Sequence, residues 1–320
     1  MRGKKNIMSE SIATRDAYGK ALIEVGEKYP NVVVLDADLS CSTKTAGFAK
    51  KFPHRFFNMG VAEQDLMGTA AGFALSGKIP FVSTFAMFAT GRAWEIVRQS
   101  IVYPHLNVKI CASHAGLTVG EDGASHQTVM DIALMRVMPG MTVLVPADAV
   151  ETEKMIQAAV NFEGPMYIRL GRSKTPVILE KNDPFQIGKA RILKEGQDIG
   201  IIACGILVAH ALEARKILEK EGIQATVVNC STIKPLDTDT LLQVAQKTRA
   251  IITLEEHSVL GGMGAAVSEY LSGAFPVPIH RMGVQDEFGQ SGSAEALLQH
   301  YHLMPEDIVL EVKKMLKRKR

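Results

Sequence analysis

The chain has 320 residues, 47% of them hydrophobic and 22% charged, with a formal net charge of +2. That is enough chain for two domains with a substantial core, and the charge balance excludes a nucleic-acid binder or a membrane-surface protein. Four widely spaced cysteines with no Cys-x-x-Cys pair exclude a disulfide or zinc framework and read as small buried hydrophobes of a reducing, cytoplasmic compartment.

In chain order, the basic stretch 1–5 is followed by no apolar segment, so no signal peptide is expected. A helix-like segment covers 11–27. Strand-like apolar runs stand at 31–36, 80–84, 108–112, 142–145 and 166–170, separated by helix-like segments at 62–76, 92–102, 126–138 and 149–161. Short β-rich runs bounded by Gly, Pro, Asn or Ser are buried parallel strands, and their alternation with helices predicts a doubly wound α/β sheet. Around 171–188 the pattern dissolves into Lys, Pro, Asp, Asn and Gly, as a linker does. A second βα series runs through 198–204, 208–221, 224–230, 241–247, 250–255, 264–272 and 277–282. Its most apolar run, 199–212, is too short to span a bilayer. The basic end, 313–320, reads as a solvated helix terminus favoured by the helix dipole. The expected architecture is two α/β domains, 1–185 and a smaller 186–320.

The densest chemistry lies in residues 113–127, Ser-His-Ala-Gly-Leu-Thr-Val-Gly-Glu-Asp-Gly-Ala-Ser-His-Gln. Two imidazoles (His114, His126) and two carboxylates (Glu121, Asp122) are interleaved with Gly116, Gly120 and Gly123, which let the backbone turn sharply. A strand here runs into a long polar loop, and such loops carry catalysis more often than packing. Imidazoles donate to hydroxyls and phosphates while carboxylates accept from hydroxyls, so the set suits a polyhydroxylated or phosphorylated ligand. One histidine alone would be read as a packed or surface residue; the cluster reads as a site.

Other candidates stand at strand ends. Glu63 opens a helix rich in Ala and Gly. It either serves the helix dipole or, in apolar surroundings, resists ionisation and shares a proton with a ring nitrogen. Phe85 and Phe88 can share one helical face, as core or as a stacking wall for an aromatic ring. Arg15 and Arg172 are solvated charges or anion clamps, since guanidinium matches phosphate bidentately. Asp38 and Ser42 follow the carboxyl end of the 31–36 run, where α/β folds place ligands. Glu255-Glu256-His257-Ser258 and the following Gly261-Gly262-Met263-Gly264 lack the spacing of a P-loop or dinucleotide fingerprint and read as packing or interface.

As an ordered set, these segments resemble the C-terminal half of transketolase. The resemblance is carried by Ala13-Thr14-Arg15, Asp36-Ala37-Asp38-Leu39-Ser40, Gly60-Val61-Ala62-Glu63-Gln64, Thr84-Phe85-Ala86-Met87-Phe88, the 114–126 loop and Leu170-Gly171-Arg172. It continues through Ile233-Lys234-Pro235-Leu236-Asp237 and the segment from Gly283 to Gly292, so it covers nearly the whole chain. It implies a pyrimidine-binding domain followed by a transketolase C-terminal domain, with thiamine diphosphate bound between domains of different subunits. The family holds the diphosphate through Mg²⁺ with a Gly-Asp-Gly motif; none occurs here, the nearest string being Glu121-Asp122-Gly123 in the polar loop. The chain is therefore expected to be one subunit of a split transketolase, assembling as a heterotetramer with a companion N-terminal subunit that carries the diphosphate and Mg²⁺, without nucleic-acid or membrane partners.

By the same resemblance, Glu63 bonds the pyrimidine ring nitrogen and favours the imino tautomer, Phe85 and Phe88 pack around that ring, and Asp38 and Leu39 lie near the thiazolium. His126 contacts the sugar near its reacting carbon, Asp122 a substrate hydroxyl, and Arg15, Ser42, His114 and Arg172 hold the substrate phosphate. The implied reaction transfers a two-carbon unit from a ketose phosphate to an aldose phosphate, as in the pentose phosphate pathway. Deoxyxylulose-phosphate synthase shares the glutamate and fold but normally comes as one long chain, and Phe288-Gly289-Gln290-Ser291-Gly292 fits transketolase better. A 2-oxo acid dehydrogenase beta subunit has similar size without the paired histidines and arginines. A non-catalytic regulatory module would not be expected to retain Glu63, both histidines and both arginines.

Overall fold

The computed structural model describes residues 10–319, so the basic stretch 1–5 and the terminal Arg320 lie outside the described residues. Strands Val32–Asp36, Ile79–Ser83, Lys109–Ala112 and Met166–Arg169 are buried at every position. A strand apolar on both faces must be covered on both, and these four lie side by side inside the first sheet. The sheet has seven strands, in the spatial order 232–234, 142–144, 166–169, 109–112, 79–83, 32–36, 56–58. Every pairing is parallel (Val34 opposite Phe81, Ile110 opposite Tyr167) except that of Thr232–Lys234, which runs antiparallel to Thr142–Leu144. That edge strand belongs to the second half of the chain. Only three residues long, it leaves no periodic signal of its own.

The second sheet has five strands in the order 279–284, 251–258, 199–203, 225–229, 191–194. Its one antiparallel member is the edge strand Arg191–Lys194. A single apolar cluster joins Leu35, Val82 and Ile110 of the first half to Ile202, Val228 and Met263 of the second. No helix among the described residues is long and apolar enough to cross a membrane.

Four local expectations need correction. Residues 11–13 are not helical: Ser11–Ala13 pairs with Lys174–Pro176, so the expected linker carries a strand, and the helix starts at Thr14. Within 126–138 only Asp131–Arg136 is α-helical, because the Gln127 side chain turns inward to the carbonyls of Leu117, Gly120 and Gln290 and holds the preceding residues in a turn. The 92–102 segment winds mostly as wide π turns, entered through Phe88–Arg92. Cys41 is exposed, in a short surface helix, while the other three cysteines are buried.

The 255–264 segment is packing, as expected. The Glu255 carboxylate accepts from Met263 N at 2.6 Å and Gly264 N at 2.8 Å, an internal anion at the start of helix Met263–Ala274. Glu256 accepts from Thr118 N in the polar loop. Nearby, Arg169 Nε donates to Asp131 Oδ2 at 2.8 Å and Arg169 Nη2 to the Glu256 carbonyl at 2.9 Å. Arg169 of the first sheet and its helix partner Asp131 are thereby tied to the second sheet, at the strand whose Glu256 also holds the loop.

Candidate functional site

Five neighbouring parallel strands deliver the site. Their carboxyl ends lead to Arg172 after Met166–Arg169, His114 after Lys109–Ala112, Phe85 after Ile79–Ser83, Asp38 and Ser42 after Val32–Asp36, and Glu63 after Phe56–Asn58. Parallel pairing puts all these ends on one edge, where backbone amides stop pairing and side chains can converge. Arg15 arrives separately. Thr14 Oγ1 accepts from Gly171 N at 2.7 Å, and the ribbon of Ser11–Ala13 with Lys174–Pro176 sets the start of helix Thr14–Lys28 beside Arg172.

His114 lies at the centre, at a left-handed φ of 59°. Its ring stacks on Phe85 with centroids 3.8 Å apart and planes 24° from parallel. Arg15 Nη1 stands 3.0 Å from His114 Nε2 and also donates to the Ser42 carbonyl at 3.1 Å. Because a guanidinium only donates, Nε2 must accept, which leaves the ring proton on Nδ1 to meet Ser113 Oγ at 2.9 Å. Burial, reinforced by the charges of Arg15 and Arg172, lowers the His114 pKa to about 3. The imidazole is neutral.

His126 meets the same wall edge-on, its ring centroid 5.6 Å from Phe88 and 6.1 Å from Phe85. Its Nδ1 is 2.9 Å from Ser125 Oγ. Nε2 has no protein partner among the described residues. Phe85 and Phe88 lie 6.0 Å apart and nearly parallel, at 14°. The Arg92 guanidinium covers Phe88 at 5.2 Å and reaches Glu63 Oε2 at 3.3 Å. Glu63 is 2% exposed, and this is its one ion pair among the described residues.

The structure therefore brings together Arg15, Phe85, Phe88, His114, His126 and Glu63 in one chain of contacts. Arg172 faces the loop, donating to the Val119 carbonyl and to Glu121 Oε2 at 3.1 Å. Ser42 enters through its backbone carbonyl. Asp122 is exposed at the loop tip, with its charge bearing on Arg15. Asp38 is exposed and paired with Asn58, whose Nδ2 donates to Asp38 Oδ1 at 2.9 Å, while Leu39 N donates to Asp36 Oδ1 at 2.6 Å. Asp36 itself, buried and also bonded by the Thr43 and Thr45 hydroxyls, braces this corner, and burial raises its pKa. Sequence reasoning assigned no role to Arg92, Asp36 or Gln127. The four-residue step from Phe88 to Arg92 was a usable signal for the first; the buried partners of the other two are visible only once the chain is folded.

Comparison with known proteins gives the family of the fold that carries this edge. The transketolase pyrimidine-binding domain matches residues 10–177 and the transketolase C-terminal domain residues 188–308. A Methanocaldococcus jannaschii protein described as a transketolase C-terminal section is 49% identical over 308 residues, 95% of this chain and 96% of that one. The 6-deoxy-6-sulfo-D-fructose transketolase subunit SqwH of a Clostridium species is 40% identical, over 95% of each chain. Among solved structures, a split gene transketolase described as an inactive β4 tetramer superposes with a TM-score of 0.91 at 56% identity, covering 97% of this chain and all of that one. Against longer transketolases the chain spans about half the length, 47–49%. With both domain models placed end to end on it and a relative of its own length nearly half identical, this chain belongs to the transketolase family.

Proposed function

We propose that this chain is the pyrimidine-binding subunit of a two-chain transketolase, active in ketol transfer only with a companion that holds the diphosphate and Mg²⁺ of thiamine diphosphate. The observation that carries this reading is a buried carboxyl linked through Arg92 to an aromatic wall, with two imidazoles in ring contact with that wall and Arg15 bonded to one of them, all on the same sheet edge. The residues fit the pyrimidine half of the cofactor. Among the described residues Glu63 has one ion pair, at 3.3 Å, and it retains capacity to hold a ring-nitrogen proton away from water, while Phe85 and Phe88 offer flat apolar flanks. Residues for the diphosphate half are not in this sequence, which has no Gly-Asp-Gly. The related split gene transketolase described as an inactive β4 tetramer supports a need for a second kind of chain.

When bound, thiamine diphosphate supplies the carbanion chemistry that breaks and remakes the carbon–carbon bond. The chain's own residues orient and protonate. Glu63 would share a proton with the pyrimidine ring, Phe85 and Phe88 would flank it, and Asp38 and Leu39 would border the thiazolium end. His126 presents its free Nε2 to the sugar near the reacting carbon, and Asp122 accepts from a hydroxyl. Arg15 and Arg172 receive the phosphate, with Ser42 and His114 aiming Arg15 at it.

The test is co-purification with a Gly-Asp-Gly-bearing companion and assay with xylulose 5-phosphate and ribose 5-phosphate. Activity is expected only for the mixture, with Mg²⁺ and thiamine diphosphate. Glu63→Ala is expected to cost at least ~100-fold in kcat, the scale of a lost proton-transfer group. Turnover by this chain alone would defeat the split-subunit reading; turnover of pyruvate with glyceraldehyde 3-phosphate would point to the synthase. Because a relative is named for a sulfosugar, the donor panel includes 6-deoxy-6-sulfo-D-fructose.

A further inference from the structure

We infer that Glu121 is a resident counter-anion of the phosphate site: it holds Arg172 until the substrate's phosphate takes its place, and so sets how strongly phosphorylated sugars are preferred. The inference rests on the reading of Arg15 and Arg172 as the phosphate clamp. Arg172 Nη1 lies 3.1 Å from Glu121 Oε2. Its charge also bears on Arg15 and on His114, so two guanidiniums share one corner. Arg15 Nε is buried there without a hydrogen-bond partner among the described residues. Facing these cations, the loop supplies two adjacent carboxylates: Glu121 pairs with Arg172, and Asp122 bears on Arg15.

The charges match two against two. A phosphate dianion brings the same charge to the same corner, and it cannot enter beside both carboxylates without like-charge repulsion. Glu121 is the one free to leave. Its side chain is 72% exposed, and an exposed ion pair is weak enough to exchange. It stands between Gly120 at φ 85° and Gly123 at φ 73°, positive-φ positions that glycine adopts without strain; Gly123 packs against Ser291, so it is the exposed Glu121 side chain that turns away into solvent. A Cβ at Gly120 would sit 3.5 Å from Arg172 Nη1, so the guanidinium lies against the backbone just before Glu121.

Calorimetric titration of the full-length chain with inorganic phosphate tests this. Glu121→Gln keeps the shape and removes the charge; it should tighten phosphate about two- to five-fold, the worth of one exposed ion pair. Arg172→Gln should weaken it. In the assembled enzyme, Glu121→Gln should lower the KM for ribose 5-phosphate by a similar factor relative to that for unphosphorylated glycolaldehyde. Weakened binding in Arg172→Gln together with equal or weaker binding in Glu121→Gln would overturn the counter-anion role alone. Phosphate binding indifferent to Arg172→Gln would overturn the clamp, and this inference with it.

Discussion

His114 is gripped from both sides, and the grip fixes its proton. Arg15 needs a lone pair at Nε2, Ser113 takes the proton at Nδ1, and burial together with two nearby guanidiniums lowers the pKa from 6.5 to about 3. A neutral ring that accepts from Arg15 aims the arginine without adding charge, a positioning role in the phosphate site proposed above. The consequence for stability has a definite sign. Between about pH 6.5 and pH 3 the unfolded chain binds a proton that the folded chain refuses, so this contribution is complete above 6.5 and drains away on acidification. His114→Gln keeps an acceptor and removes the titration. Its urea midpoint is expected to fall less steeply than the wild type's between pH 7 and pH 4; parallel slopes would show that the folded ring protonates normally. At this scale the sequence named the ring but not its state, because the state depends on Arg15, 99 residues away in the chain. Glu63 was legible for the opposite reason: its position at the start of a small-residue helix is local. Its pairing with Arg92 was not, because Arg92, whatever its step from Phe88 suggests, reaches Glu63 from a helix on the next strand's connection.

Elements were more legible than single residues, and they are what converge on the candidate site. Each predicted strand of the first series is present within a residue or two, because an apolar run covered on both faces is a strong local signal. Once the strands are parallel, their carboxyl ends have to share an edge, and most of the candidate residues follow from that alone. What stayed hidden were the fastenings. Asp148 caps helix Ala149–Val160 by accepting from Glu151 N at 2.9 Å, which the order of residues shows. Its other oxygen accepts from Ile178 N and Leu179 N, both at 2.8 Å, and pins the linker to the first domain, which the order of residues does not show. Asp148→Ala removes the cap and leaves two amides unpaired. Its expected cost is about 2–3 kcal/mol of stability, read from the denaturant midpoint, with faster proteolysis near 177–183. Loss of only a few tenths of that would mean water replaces the carboxylate at no penalty.

For the whole molecule, composition and alternation were enough to read two α/β units, but not how deeply they share an interior. Thr232–Lys234 pairs across to Thr142–Leu144, and the cluster around Leu35, Val82 and Ile110 continues into Ile202, Val228 and Met263. Arg169 and Asp131 form a buried pair that is finished by the Glu256 carbonyl from the second unit. Burial alone would raise the Asp131 pKa; Arg169 and His257 outweigh it and hold the carboxyl below its ordinary value. A buried pair that loses a hydrogen-bonding neighbour becomes a liability, since its charges cannot recover water. A chain stopped after residue 185 would therefore lose an edge strand, part of its core and the partner of its buried pair at once. It is expected to lack a cooperative thermal transition, to bind a hydrophobic dye and to associate through the uncovered edge at 142–144. A monomer of that length melting as sharply as the full chain would show that the first unit closes its own core, and the shared interior would then be a contact between finished domains.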